Sequence, residues 1–281
     1  MISGAQGSAS GPAQLLQTRM VEKPWGRDNL PAPFHAPPGQ RIGEIWFEPS
    51  VHMPDLLVKY LFTSEKLSVQ VHPSNETALE GEAGKEECWL VLDAEPGARL
   101  AIGFGQPLSP AEIGAAARDG SIEERLAWHE ARAGDVFFLP AGTVHAIGPG
   151  LALVEIQQTS DTTFRLYDYG RPRALHLDRA LAVASGEPYH PRHRTTLSEA
   201  GQTLVHGDHF RFDRIAPDGA QQPGEAIREV YRDGALVLPL EGKVFAREGE
   251  VGAGPGECLY VPSLERLDWS AARTVLLARS L

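Results

Sequence analysis

Short apolar runs recur along the chain at the length of β-strands: LLVKYLF, LSVQVH, CWLVL, DVFFLP, LALVEIQ, GALVLPL, CLYVP and TVLLARS. Proline- and glycine-rich stretches such as PAPFHAPPG, LDAEPG, LPAGTVHAIGPG and VGAGPGE separate them. This spacing predicts a mainly β protein of the sandwich or barrel kind. One stretch breaks the pattern. SPAEIGAAARDGSIEERLAWHEA opens with Ser109 as an N-cap and Pro110 at the first helical position, so it predicts a short helical insertion over about 109–130. A third helix is expected over LHLDRALAVAS. Residues 1–18 are small and polar and read as a loose tail.

The pattern also repeats. Gly134–Pro140 reads GDVFFLP and Gly256–Pro262 reads GECLYVP: a turn glycine, an acidic residue, an apolar strand and a closing proline. The first continues AGTVHAI; the second continues SLERLDW, without the histidine. Two related β modules are therefore expected, 19–190 carrying the chemistry and 191–281 without a metal, joined near residues 186–196.

Alternation assigns candidate chemistry. Successive side chains of a strand point to opposite faces. In LSVQVHP, Ser68, Gln70 and His72 share one face, while Leu67, Val69 and Val71 form an apolar one. In GKEECWLVL, Lys85, Glu87 and Trp89 share a face. A lysine and a glutamate turned into a barrel are costly unless paired or bound to an ion. In GDVFFLPAGTVHAI, Pro140 ends a strand, Gly142 permits a tight turn, and His145 returns facing inward. Gln70, His72, Glu87 and His145 thus converge as candidate metal ligands.

The last segment has the spacing G-x5-P-x-G-x2-H, which resembles the second signature of the cupin superfamily. Pro149 stands where an asparagine usually follows. The first signature is only partly met, since Gln70 and His72 replace its histidine row and Glu87 lies fifteen residues beyond His72. The fold class expected is therefore two cupin-like jelly-roll or β-barrel modules with a short helical insertion.

Composition narrows the class of partner. The chain has 281 residues, 42% hydrophobic, and a formal net charge of −11. That disfavours nucleic acid, which calls for a basic surface, but not a small anion met by a few local cations. Two distant cysteines make neither a disulfide framework nor a CxxC metal site and suit a reducing compartment. The first residues lack the charged and apolar regions of a signal peptide, and no apolar run approaches a membrane span. A cytoplasmic protein is expected, with monomer or dimer left open.

The segments KPWG (23–26), GEIW (43–46), LLVKYLF with EKLSVQVHP, GKEECW (84–89), LPAGTVHAIGPG (139–150) and EIQQTSDTTFRLYDYGR (155–171) together resemble type I mannose-6-phosphate isomerases of the short bacterial form. The resemblance covers about two-thirds of the chain; after about residue 200 it is general only. PSNE after His72 departs from the acidic residues common in relatives. The resemblance implies one zinc ion on Gln70, His72, Glu87 and His145. It also implies phosphate contacts from Ser68 and Lys85, a catalytic arginine at Arg165, and interconversion of mannose 6-phosphate and fructose 6-phosphate through a cis-enediol. Glu155 is the candidate base, because apolar neighbours suit a group that takes and returns a proton; it could equally orient Arg165 or a ligand histidine. Lys85 could carry the proton instead of anchoring phosphate, Asp161 fits a supporting role, and Tyr167 is expected in the pocket. Rival readings are another metal cupin, such as an oxygenase or sugar-binding lyase, and a non-catalytic sugar-phosphate sensor.

Overall fold

The computed structural model describes residues 11–217, 222–247 and 251–281. In chain order the first elements are β1 (Gln14–Leu15), β2 (Thr18–Arg27), β3 (Ile42–Phe47), β4 (Leu56–Thr63), β5 (Val69–Val71), β6 (Glu87–Ala94) and β7 (Arg99–Phe104). Helices α1 (Pro110–Asp119) and α2 (Ile122–Arg125) follow, then β8 (Leu126–Glu130), β9 (Asp135–Leu139), β10 (His145–Ile147), β11 (Leu151–Gln158), β12 (Phe164–Tyr167), α3 (Leu177–Val183) and β13 (Arg194–Thr196). The remainder is β14 (Gln202–His206), β15 (Phe210–Ile215), α4 (Glu225–Val230), β16 (Ala235–Gly242), β17 (Val244–Ala246), β18 (Gly252–Ala253), β19 (Leu259–Val261), β20 (Leu267–Asp268) and β21 (Ala272–Ser280). The mainly β, cupin-type reading is borne out.

The chain forms two compact units, one of residues 19–46 and 57–196, the other of 47–56, 197–281 and the described part of 1–18. The first unit holds a seven-stranded sheet, β13-β9-β6-β11-β4-β3-β2, and a five-stranded sheet, β12-β5-β10-β7-β8. Trp89, Val91, Leu100, Ile102, Phe137, Leu139, Leu151 and Leu153 form one apolar core. The alternate residues of the smaller sheet, among them Val69, Val71, Ala101, Phe164 and Leu166, pack with Ile113 and Ala117 of α1 and Ala180 of α3. The expected alternation is met within β5: Val69 and Val71 belong to the helix-covered face, which leaves Ser68, Gln70 and His72 on the other. Leu67, ahead of the strand and expected beside the valines, packs in the first core with Trp89 instead.

The helical insertion is shorter than expected. Ser109 caps α1 through a reciprocal capping box with Glu112, and Gly120 ends it in the left-handed region at φ 84°. LAWHE, read as helical, is strand β8, because its residues pair with β7 at Leu100↔His129 and Ala101↔Trp128. Strand pairing overrides the local helical pattern here.

In the second unit a six-stranded sheet, β1-β19-β16-β21-β15-β14, and a three-stranded one, β18-β17-β20, enclose Tyr231, Val237, Leu259, Trp269 and Leu277. The loose-tail expectation for 1–18 needs correction. Residues 1–10 lie outside the described residues, but Gln14 and Leu15 pair with Tyr260 and Leu259, and Leu16 is buried. Leu16 gives this polar segment its apolar anchor, while Leu15 is exposed.

The sequence repeat is a repeat of topology. In the first unit β6 lies between β9 and β11; in the second β16 lies between β19 and β21. Gly134 and Gly256 enter β9 and β19 with φ of 90° and 86°. Glu87 pairs with Leu139, the residue before Pro140, and Ala235 pairs with Val261, the residue before Pro262. Glu155 faces Trp89, and Leu277 faces Val237. The second copy therefore carries Ala235 and Leu277 at the positions of Glu87 and Glu155, and Leu267 at that of His145.

Candidate metal centre and its cavity

Three strands bring the candidate ligands together. β5 and β10 run antiparallel with Gln70 opposite His145, and β6 opens with Glu87. His72 Nε2 lies 3.6 Å from Glu87 Oε2, and His145 Nε2 lies 3.4 Å from Glu87 Oε1. One donor atom from each of the three falls within 4.8 Å of the others.

The hydrogen bonds around this cluster set the histidine tautomers. His72 Nδ1 donates to the Thr162 carbonyl at 2.8 Å, and His145 Nδ1 donates to the Thr143 carbonyl at 2.9 Å. Each ring is left with its Nε2 lone pair toward Glu87, the arrangement a metal-ligating histidine requires. Burial, then Lys85 and His145, hold the His72 imidazole well below its usual range. Burial also lowers His145, against the pull of Glu87. Neutral imidazoles and an ionised carboxylate are the ligand forms of these groups.

Glu87 is buried at 1% exposure, and its Oε1 accepts no hydrogen bond. Burial pushes its carboxyl up, but Lys85 and then His145 outweigh burial and keep it below the usual carboxylate range. Lys85 Nζ stands 2.6 Å from Glu87 Oε2 and 3.2 Å from His72 Nε2. Burial pulls Lys85 down, yet Glu87 and Glu155 outweigh it and raise the ammonium. Gln70 completes the set: its Nε2 is 3.3 Å from His145 Nε2, and its Oε1 accepts from Ser68 Oγ at 3.0 Å. An amide nitrogen has no lone pair to offer, so Gln70 serves a cation only through Oε1, a half-turn of the amide away. An orphaned buried carboxylate oxygen, two aimed Nε2 lone pairs and a hinged amide suit a metal ion.

A cavity of about 270 Å³ adjoins the cluster. Ser68, Gln70, Lys85, Glu155, Asp161 and Arg165 line it. Tyr167 does not. The β12–β5 ladder bulges between Arg165 and Tyr167, and Tyr167 packs on the helix-covered face instead.

Lys23, Glu44, Trp46, Lys59 and Arg173 also line the cavity, and sequence reasoning assigned them no role. Lys59 lies inside strand β4, all eight of whose residues are buried. Its Nζ bonds Glu155 Oε1 at 3.0 Å and Gln157 Oε1 at 2.5 Å, and stands 4.4 Å from the Trp46 ring. Trp89 Nε1 donates to the other oxygen of Glu155 at 3.1 Å. Glu155 is thus held by a lysine and an indole rather than by apolar neighbours alone. A lone cation inside an apolar strand was the available signal for Lys59.

The cations of this wall are not equivalent. Lys23 pairs with Glu44 at 3.2 Å, Lys59 with Glu155, Lys85 with Glu87, and Arg173 with both oxygens of Asp168 at 2.6 and 2.7 Å. Among the described residues Arg165 has no carboxylate partner, and its Nε makes no hydrogen bond. Its guanidinium is the positive charge left over for an anion.

No protein-family model matches the chain. A mannose-6-phosphate isomerase of Streptococcus mutans is 44% identical over 142 residues, 47% of this chain and 45% of that protein. The mannose-6-phosphate isomerase ManA of Bacillus subtilis is 40% identical over 204 residues, 69% of this chain and 64% of that protein. The matched stretch thus spans about half to just under two-thirds of these relatives. The crystal structure of the Bacillus subtilis mannose 6-phosphate isomerase matches with a TM-score of 0.77, covering 94% of this chain and 98% of that one at 23% identity. A phosphomannose isomerase mutant from Salmonella typhimurium matches at 0.70, covering 96% and 100% at 15% identity. Those two likenesses establish the fold, and the sequence relatives supply the kinship. The chain is thus similar to mannose-6-phosphate isomerases in sequence over the matched stretch and in fold over nearly its whole length.

Proposed function

We propose that the chain interconverts mannose 6-phosphate and fructose 6-phosphate, with one zinc ion on Gln70, His72, Glu87 and His145. The carrying observation is the pair of backbone-tethered imidazoles whose Nε2 atoms face an unsatisfied buried carboxylate oxygen, beside a cavity walled by cations. Two imidazoles, a carboxylate and an amide oxygen favour a divalent, non-redox ion over the histidine-rich sets of iron oxygenases. When bound, such an ion polarises the substrate oxygen.

The chain's own groups divide the remaining work. Isomerisation through a cis-enediol moves a proton between C1 and C2. Lys85 contacts both Glu87 and His72, which supports a proton-carrying role at the reacting end better than a distant phosphate contact. Glu155, held by Lys59 and Trp89, fits a carboxylate that orders this wall; it remains the alternative base. Arg165 offers an always-charged donor for developing negative charge or the phosphate, and Ser68 steadies Gln70 and reaches the cavity.

The second β unit carries Ala235, Leu267 and Leu277 at the repeat-equivalent positions, which supports reading it as metal-free. Both cysteines are free and buried, which suits the cytoplasm. No helix among the described residues is long and apolar enough to cross a membrane. A coupled assay with mannose 6-phosphate, with and without chelator, tests the proposal: turnover lost on chelation and restored by zinc is expected. Full activity in metal-free protein contradicts it.

A further inference from the structure

We infer that His176 is a positioning residue for Arg165, pinning the arginine's backbone from the side of β12 away from β5. Its functional consequence rests on the isomerase reading above.

β12 ends the five-stranded sheet, with β5 on one side. At the cross-strand pair Arg165↔Gln70, the arginine's backbone polar groups turn away from β5. The Arg165 N–H donates to His176 Nδ1 at 3.2 Å, and the His176 N–H donates to the Arg165 carbonyl at 2.8 Å. Antiparallel pairs alternate between hydrogen-bonded and non-hydrogen-bonded types, and the latter bring side chains closer. Arg165 and Gln70 form the closer type, which sets the arginine beside the candidate ligand on the cavity face.

Two further features make this clamp consequential. The ladder bulges immediately after Arg165, so regular pairing gives the strand little support beyond that point. The guanidinium has no carboxylate partner among the described residues and an unbonded Nε, so its own side chain does little to fix its aim. His176 is also the N-cap of α3, yet its ring makes no capping bond to that helix. The ring serves β12 instead. With Nδ1 accepting, the ring proton is on Nε2.

The test compares His176→Leu and His176→Gln, which remove the acceptor at the δ position, with His176→Asn, which keeps one there. Amide hydrogen exchange at Arg165, kcat/KM with mannose 6-phosphate, and zinc content are measured on the full chain. The first two variants should exchange faster at Arg165 and lose on the order of tenfold to a hundredfold in kcat/KM, as a slightly misplaced catalytic group does. Zinc content should be unchanged, and His176→Asn should stay near wild type. On an Arg165→Ala background, His176→Leu should cost nothing further. Unchanged exchange at Arg165, or a full additional loss on the Arg165→Ala background, overturns the inference. Absence of turnover in the wild-type chain would count against the isomerase reading, and hydrogen exchange would still decide whether His176 pins Arg165.

Discussion

Lys59 shows what a single side chain can demand of its surroundings. An ammonium at 4% exposure, inside a strand of buried residues, costs several kcal/mol in lost hydration unless it is compensated. Glu155, Gln157 and the face of Trp46 provide that compensation. Lys59→Met leaves the Glu155 carboxylate buried without its cation, and about 3–5 kcal/mol of stability should be lost. Urea unfolding measures this, and pairing the change with Glu155→Gln should recover most of it; a loss too small to resolve would contradict the pairing. Arg165→Ala makes a different prediction. The residue carries no structural ion pair, so stability and zinc content should hold while kcat falls at least about a hundredfold, the size of effect expected for a lost charge stabiliser. Steady-state kinetics beside metal analysis separates the two effects. Gln70, His72 and Glu87 were legible because strand alternation ties each to a face, and His145 because its turn spacing is specific. Lys59 and Arg173 were not, since they reach the cavity through sheet pairing between distant segments. Tyr167 was misassigned because a bulge, invisible in the pattern, reverses the alternation after Arg165.

At the scale of elements, the turn from Pro140 to His145 does the positioning. Gly142 adopts φ 83°, and a Cβ there would meet the Val183 carbonyl at 2.9 Å. Thr143 Oγ1 donates to the Pro140 carbonyl while its own carbonyl accepts from His145 Nδ1. One turn thereby fixes where His145 lies and which nitrogen is free. Helix α1 works differently: it covers the outer face of the small sheet through Ile113, Ala116 and Ala117. Ser109→Ala should remove one side of its capping box and cost about 0.5–2 kcal/mol, with kcat and KM unchanged. Thermal or urea unfolding checks the first part and the coupled assay the second. The helix start was readable because a cap is a local feature of sequence. The end of the insertion was not, because LAWHE becomes a strand only through its pairing with β7.

For the whole molecule, the repeated three-strand motif explains how one design serves two ends. The same strand order carries Glu87 and Glu155 in one unit and Ala235 and Leu277 in the other, and the chain after each closing proline leads to His145 in β10 or to Leu267 in β20, so one copy can hold an ion and the other fills the space with apolar packing. The repeat was visible in sequence as GDVFFLP and GECLYVP; its shared strand order emerges only from pairing. Net charge is also divided by place, since a chain of −11 builds a cavity lined by five lysines and arginines. If the cluster is a metal centre, ion binding must add to folding stability. Zinc at a thousand times its dissociation constant should raise it by about 4 kcal/mol, and Glu87→Gln should remove most of that increment in unfolding experiments. The most direct measurement of the central claim is turnover of mannose 6-phosphate, followed together with zinc per chain as chelator is added and zinc restored. Activity should fall and return in proportion to bound zinc; turnover that stays full as bound metal reaches zero would rule out a metal-dependent reaction.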